Sequence, residues 1–284
     1  MSRRELFRRM RKSLFFMTGS ILVILLIAMA ILAPAIAPYD PLKINLSKRH
    51  NTPDFFSNGW GGHPLGNDAL GRDVLSRLLI GGRVSLQIAL IVVTLTTVIG
   101  TALGLIAGFF GKAADTIIMR IGDIQLSIPQ LVFAIAIMAV LGNSMFNLIL
   151  VLVITGWVKF ARLTRSQVMM IRNTEFVHAS KALGSSNARI MFTQILPNAL
   201  TPLIIVASQD FGRVILTEAA LSFIGLGVPP PAPTWGGMIS QGREYLATSP
   251  WVVLVPGVAL MITVFAFNFL GNGVSDVLDP KNKN

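Results

Sequence analysis

The sequence contains no cysteine. That excludes a disulfide framework, a thiolate metal site and a cysteine nucleophile, and it says nothing about compartment. Charge is scarce as well: Asp, Glu, Lys and Arg make up 13% of the 284 residues, about half the share of an ordinary soluble domain. Histidine occurs only at His50, His63 and His178, and none stands in an H-E-x-x-H pair. There is no G-x-S-x-G and no G-x-x-x-x-G-K-S/T; "GFFGKA" (108–113) has a glycine and a lysine at the wrong spacing. Catalytic residues and cofactor or metal ligands are therefore not expected. A chain without a P-loop hydrolyses no nucleotide by that route, so uphill transport would draw on an ion gradient or on another subunit. Internal repeats, low-complexity tracts and a second domain are missing too.

What is abundant is apolar: 53% of the residues are hydrophobic, and the mean hydropathy is +0.67. Six runs are long enough to cross roughly 30 Å of hydrocarbon, at 14–37, 84–110, 116–141, 146–163, 200–226 and 251–271. The fold class expected is all-α, a polytopic membrane protein of six transmembrane helices. The first run follows "MSRRELFRRMRKS" and resembles a signal peptide, but about 20 apolar residues exceed a signal h-region. Cleavage after Ala37 would also set Pro38 beside the cut. It reads as an uncleaved anchor. The chain divides into a basic tail and first span (1–37), an external loop (38–83) and a five-helix domain (84–284). That domain includes a polar inside loop at 164–199.

The net charge of +11 is placed for lipid and not for nucleic acid, because the cations sit in loops beside apolar runs. Arg3, Arg4, Arg8, Arg9, Arg11 and Lys12 put the N-terminus in the cytoplasm. Lys159, Arg162, Arg165, Arg172, Lys181 and Arg189 do the same for the loop after the fourth span. The "DPKNKN" tail and the N-terminus then share one side of the cytoplasmic membrane. The loop 38–83 runs against the rule with Lys43, Lys48, Arg49, Arg72, Arg77 and Arg83, although four aspartates accompany them.

Within the spans, Gly100, Gly104 and Gly108 form a small-xxx-small stripe suited to close helix packing. The fifth run carries Gln209, Asp210, Arg213 and Glu218. Ionisable groups at mid-membrane face a bundle interior or a wet cavity. Two readings stay open: an internal Asp210–Arg213 pair near the cytoplasmic end, or a face lining a solute path. Arg120 and Asp123 pose the same choice. Pro129 would kink the third span, and Pro202 and Pro256 sit near the ends of the fifth and sixth.

Residues 175–197, "EFVHASKALGSSNARIMFTQILP", read as helix, turn, helix between apolar runs. Phe176, Ala179 and Leu183 share a face, Gly184 suits a left-handed C-cap, and Ser185, Ser186 and Asn187 offer N-cap oxygens. Pro197 is expected to interrupt the second helix. The first helix is too short to be stable alone and needs a surface, either lipid or a partner.

"HASKALG" followed nine residues later by "QILP" resembles the EAA loop of ABC importer permeases, whose pattern is E-A-A, three residues, G, nine residues, I-x-L-P. Ala179, Gly184, Leu196 and Pro197 match it, while His178, Ser180 and Gln194 depart. "HPLGNDALGRDVLSRLLIGGRVSL" (63–86), "LSFIGLGVPPPAPTWGGMI" (221–239) and "AFNFLGNGVSDVLDP" (266–280) are similar to segments of the dipeptide, oligopeptide and nickel permease branch. The last departs at Asn272 and Ser275, where an aspartate and an arginine are usual.

The resemblance implies that Glu175, His178, Ala179, Ser180, Gly184, Leu196 and Pro197 form a loop coupling the spans to an ATPase subunit. The implied partners are a second permease in a heterodimer, two ATP-binding-cassette subunits and an extracytoplasmic solute-binding protein, in contact with membrane lipid. The implied cargo is peptide or a related solute, nickel and metal chelates included. An ion-coupled transporter or channel without ATPase partners is the competing reading; such proteins more often show inverted repeats and broken helices.

Overall fold

The computed structural model describes residues 3–56 and 62–278; the side chains of 3–7 and the "DPKNKN" tail from 279 on lie outside the described residues. Helix α1 (Arg3–Lys12) leads into α2 (Leu14–Ile36), which Ser13 caps by accepting a hydrogen bond from the Phe16 N–H. The described residues 37–56 and 62–73, turns with two short 3-10 pieces, precede α3 (Val74–Phe110), 37 residues long and started by the Asp73 carboxylate. It begins well before the apolar run at Val84 and takes in Gly81 and Gly82. A Cβ at Gly82 would come within 2.5 Å of the Trp235 ring.

α4 (Lys112–Leu126) and α5 (Gln130–Leu141) together correspond to the third run. They are not one kinked rod: they meet at 88°. Pro129 offers no N–H and forces Ile128 out of the helical region, so the chain breaks at 127–129. The break is tied to its neighbour α6 (Met145–Arg172), with Gln125 donating to the Thr155 carbonyl at 3.1 Å and Trp157 donating to Gln125 at 3.0 Å.

Glycine contacts fix the direction of each helix. Gly100 abuts Phe160 and the Trp157 carbonyl, Gly104 the Ala161 carbonyl, and Gly108 Val168. Residue numbers rise together along this seam, so α3 and α6 run parallel and the α4–α5 pair must recross between them. Gly19 packs on Leu270 and Gly273 on Phe16, setting α2 antiparallel to α11 (Trp251–Leu278). Among the described residues five helices are long and apolar enough to span, and α4–α5 counts as a sixth, broken crossing. Both described ends then lie at one end of the bundle, where Ser13 and Asp276 are 3.4 Å apart.

α7 (Glu175–Ala182) follows α6, then α8 (Asn187–Arg189), a π-helical turn (Ile190–Ile195) and α9 (Leu196–Phe223). The last three form one continuous 37-residue helix, Asn187–Phe223. The interruption expected at Pro197 is confined to the π turn before it, and the helix runs on. The π turn lets the Leu196 N–H reach the Met191 carbonyl, five residues back, and this widened turn makes room for a proline that cannot take part in the regular ladder. Pro202 and Pro256 likewise sit inside helices. At the opposite end, α10 (Trp235–Gly242) buries Trp235, whose indole donates to the Leu78 carbonyl at 2.9 Å.

The loop charges that ran against the topology rule are partly neutralised inside the fold. The Asp68 carboxylate lies 2.7 Å from Arg72 Nε and 3.5 Å from Arg77 Nε. Both arginines also donate to Gln241, and Arg77 is fully buried. His63 bridges Asp73 at 2.9 Å and Lys48 at 3.1 Å.

Candidate coupling loop and intramembrane polar cluster

α7 is eight residues long and stands on the bundle by one side chain. Val177 is buried with Leu105, Val168, Ile190, Met191 and Ile195 in a small apolar cluster. Glu175 lies in the first turn, where a carboxylate suits the positive helix end. The helix stops in a Schellman motif: Ser185 N–H donates to the Ser180 carbonyl at 3.1 Å and Gly184 N–H to the Lys181 carbonyl at 3.0 Å. Gly184 has φ +81°, the left-handed conformation expected of it, and no atom lies within 4 Å of a Cβ built there. Ser186 caps the following helix by accepting from Arg189 N–H.

Two departures from the EAA pattern meet each other. Gln194 Nε2 donates to Ser180 Oγ at 2.6 Å, and Ser180 Oγ donates to Ser185 Oγ at 3.0 Å. A polar pair thus ties the two arms of the hairpin where the pattern has apolar residues. The opposite face is open: Phe176 is 49% and Leu183 87% exposed, with Ala179 exposed between them. His178 and Lys181 border a cavity of about 350 Å³ shared with Arg172 and Asn173. Leu196 is half-buried and Pro197 exposed on the continuing helix, beyond the hairpin itself.

The residues singled out on the fifth run separate into three environments. Gln209 locks α9 to α11, its amide donating to Asn272 Oδ1 at 3.0 Å. Asp210 is buried and meets Arg213 at 2.7 Å and Lys159 at 3.1 Å. Arg213 also donates to Gln130 at the start of α5, and Gln130 donates to Thr155 Oγ1 at 3.3 Å. This cluster stands midway along α9, and not near one end. Lys159, which charge alone assigns to the inside loop, sits within α6 in the fourth span. A cation inside an apolar run was the signal that could have placed it.

Glu218 does not share the face of Asp210. Eight residues at 100° each leave it about 80° further round the helix, enclosed between α3 and α10. There it accepts from Ser222 Oγ at 2.8 Å and Ser85 Oγ at 3.4 Å. Asp123 pairs with Arg162 of α6 at 2.5 Å, both half-exposed, and Arg120 is exposed.

Comparison with known proteins identifies the family and the fold. Residues 100–284 match the family of binding-protein-dependent transport system inner membrane components, and 3–53 match the N-terminal transmembrane domain of oligopeptide transport permease C. The chain is 42% identical over 280 residues to a dipeptide transport system permease protein of Alkalihalophilus pseudofirmus, covering 99% of this chain and 90% of that one. It is 39% identical over 273 residues to an oligopeptide transport system permease protein of Bacillus subtilis, covering 96% and 88%. Among solved structures, an inward-facing MetNI methionine ABC transporter chain superposes with a TM-score of 0.57 at 22% identity, covering 71% of this chain and 96% of that one; this likeness speaks for the fold. These matches favour the importer reading over an ion-coupled transporter or channel. The chain belongs to the binding-protein-dependent transport system inner membrane component family, as a membrane-spanning permease subunit of an ATP-binding-cassette importer.

Proposed function

We propose that this permease imports peptides or a related small solute, and that α7 is the element through which a separate ATPase drives it. The relatives' names motivate the solute class. The single observation carrying the coupling role is the Phe176–Ala179–Leu183 face, exposed on a helix anchored to the bundle through Val177. Apolar residues of that size left in water on a two-turn helix suit a groove on a partner protein.

In this reading Glu175, His178, Ala179, Ser180, Gly184, Leu196 and Pro197 shape or flank the docking element. Two ATP-binding-cassette subunits lie beneath it, a second and different permease completes the pore, and a solute-binding protein delivers cargo at the far end. The basic N-terminus and α7 face the cytoplasm, as the distribution of lysine and arginine supports. Asp210 and Arg213 border the solute path, whereas Gln209 and Glu218 hold its walls in register. The test is reconstitution of the chain with its sister permease, ATPases and binding protein in lipid vesicles. Solute uptake and ATP hydrolysis should require the complete set. ATP turnover by the isolated chain, or uptake without the ATPases, would refute the reading.

A further inference from the structure

The charges around Asp210 do not cancel. One buried carboxylate, with a side-chain exposure of 0%, faces two cations, Lys159 at 3.1 Å and Arg213 at 2.7 Å. The neighbouring ion pairs are one to one: Asp123 with Arg162, and Asp115 with Arg165. At a rise of 1.5 Å per residue the cluster lies about 21 Å from Met145 along α6 and about 20 Å from Phe223 along α9, deep within both spans. A surplus cation at that depth is costly unless water or an anion reaches it. Both cationic side chains are partly open, at 44% for Lys159 and 36% for Arg213.

The donors point the same way. Arg213 uses Nε and Nη2 on the Asp210 carboxylate and Nη1 on the Gln130 carbonyl oxygen. Of its five donor hydrogens, one on each terminal nitrogen has no acceptor among the described residues. A cavity of about 280 Å³ opens beside this edge, lined by Gln130, Leu131, Arg213, Leu216, Thr217 and Ala220. It lies where the third span breaks, so irregular backbone, surplus charge and open volume coincide.

We infer that Arg213, held by Asp210 and Gln130, binds a carboxylate of the solute in transit, such as the free C-terminus of a peptide. This rests on the peptide-import reading and deepens it. Asp210 and Gln130 are positioning residues: they fix the guanidinium so that its unused edge faces the cavity. Lys159 supplies the second positive charge that leaves this edge free to accept an anion. The apolar walls at Leu131 and Leu216 tolerate varied side chains, while the carboxylate is the feature the site reads.

The experiment uses the complete reconstituted transporter with a hydrophobic dipeptide and its C-terminal carboxamide, chosen so that the binding protein loads both. At saturating binding protein, Arg213→Gln should lower maximal uptake of the free acid about tenfold, the discrimination expected of a charge-assisted hydrogen bond. Uptake of the amide should fall much less, so that the preference for the acid is lost. Arg213→Lys should retain part of the preference, and Lys159→Gln, which removes the surplus charge but leaves Arg213 paired, should weaken it in the same direction. Equal loss for both probes in the inserted variants would overturn the proposal. If Arg213→Gln fails to insert, Lys159→Gln decides alone: unchanged selectivity there overturns it. Thr217→Cys distinguishes the two levels. Labelling by a hydrophilic maleimide without carboxylate discrimination keeps the path and removes the carboxylate site. Absence of labelling removes the path itself.

Discussion

Gly184 is the position where a minimal change should separate assembly from coupling. Its φ is +81°, and nothing lies within 4 Å of the direction a side chain would take. A substitution there meets no clash, so the cost is backbone strain plus whatever the new group does to a docked partner. Alanine in the left-handed region costs about 1 kcal/mol; asparagine, which tolerates it, costs less. α7 has only eight residues, too few to hold as an isolated helix. It depends on Val177, the Schellman bonds and the Ser180–Gln194 contact. A loss of about 1 kcal/mol changes the ratio of ordered to disordered hairpin about fivefold.

Gly184→Asn should therefore stay near the parent, Gly184→Ala should lose part of its coupled ATPase activity, and Gly184→Val should be worse because a β-branched residue at positive φ is a true outlier. Gly184→Asp adds a negative charge at a helix carboxyl end and should be damaging although aspartate tolerates the backbone. The assay is ATP hydrolysis stimulated by loaded binding protein, alongside uptake, with the amount of inserted protein measured for each variant. Parental activity in both for Gly184→Val and Gly184→Asp would refute the reasoning.

Other outcomes follow from the same geometry. Gly104→Leu should abolish stable insertion, since even a Cβ would sit 2.3 Å from the Ala161 carbonyl oxygen; detergent-solubilised protein should melt early or fail to accumulate. Asp68→Ala strips the buried Arg77 of its carboxylate and should destabilise the fold by about 3 kcal/mol, read as a lower Tm of the purified protein. Glu218→Gln keeps an acceptor for Ser85 and Ser222 and should be mild, whereas Glu218→Leu leaves both without that acceptor and should cost about 1–3 kcal/mol. Because the chain has no native cysteine, Asn51→Cys and Asn187→Cys give clean probes of topology, and impermeant reagents should label them from opposite sides.

Much of this architecture is legible because its causes are local. Apolar run length marks the spans, glycines four apart mark the α3–α6 seam, and "ALGSSN" spells a helix stop followed by a cap. Failures arise where a distant partner decides. Pro197 looks like an interruption until the π turn before it is seen, and nothing in the residue order announces that turn. Pro129 signals a break without saying that the two halves meet at 88°, a bend tied to α6 by the bonds of Gln125 to Thr155 and Trp157. Arg72 and Arg77 read as loose loop charges because Gln241, which joins them, comes from a stretch more than 160 residues away, although Asp68 stands only four residues before Arg72. Lys159 reads as a topology marker until Asp210, 51 residues on, claims it. The Ser180–Gln194 pair is similar: each residue alone looks like a defect in a pattern, and only their 2.6 Å contact shows the compensation.

The central claim is that α7 meets an ATPase through its Phe176–Ala179–Leu183 face, and photo-crosslinking from single cysteines tests it most directly. Leu183→Cys and Phe176→Cys, each labelled with benzophenone maleimide in the assembled transporter, should crosslink to the ATPase subunit. Asn51→Cys, at the other end of the bundle, should not. Crosslinks to lipid or to the sister permease alone, with the ATPases present and active, would contradict the account.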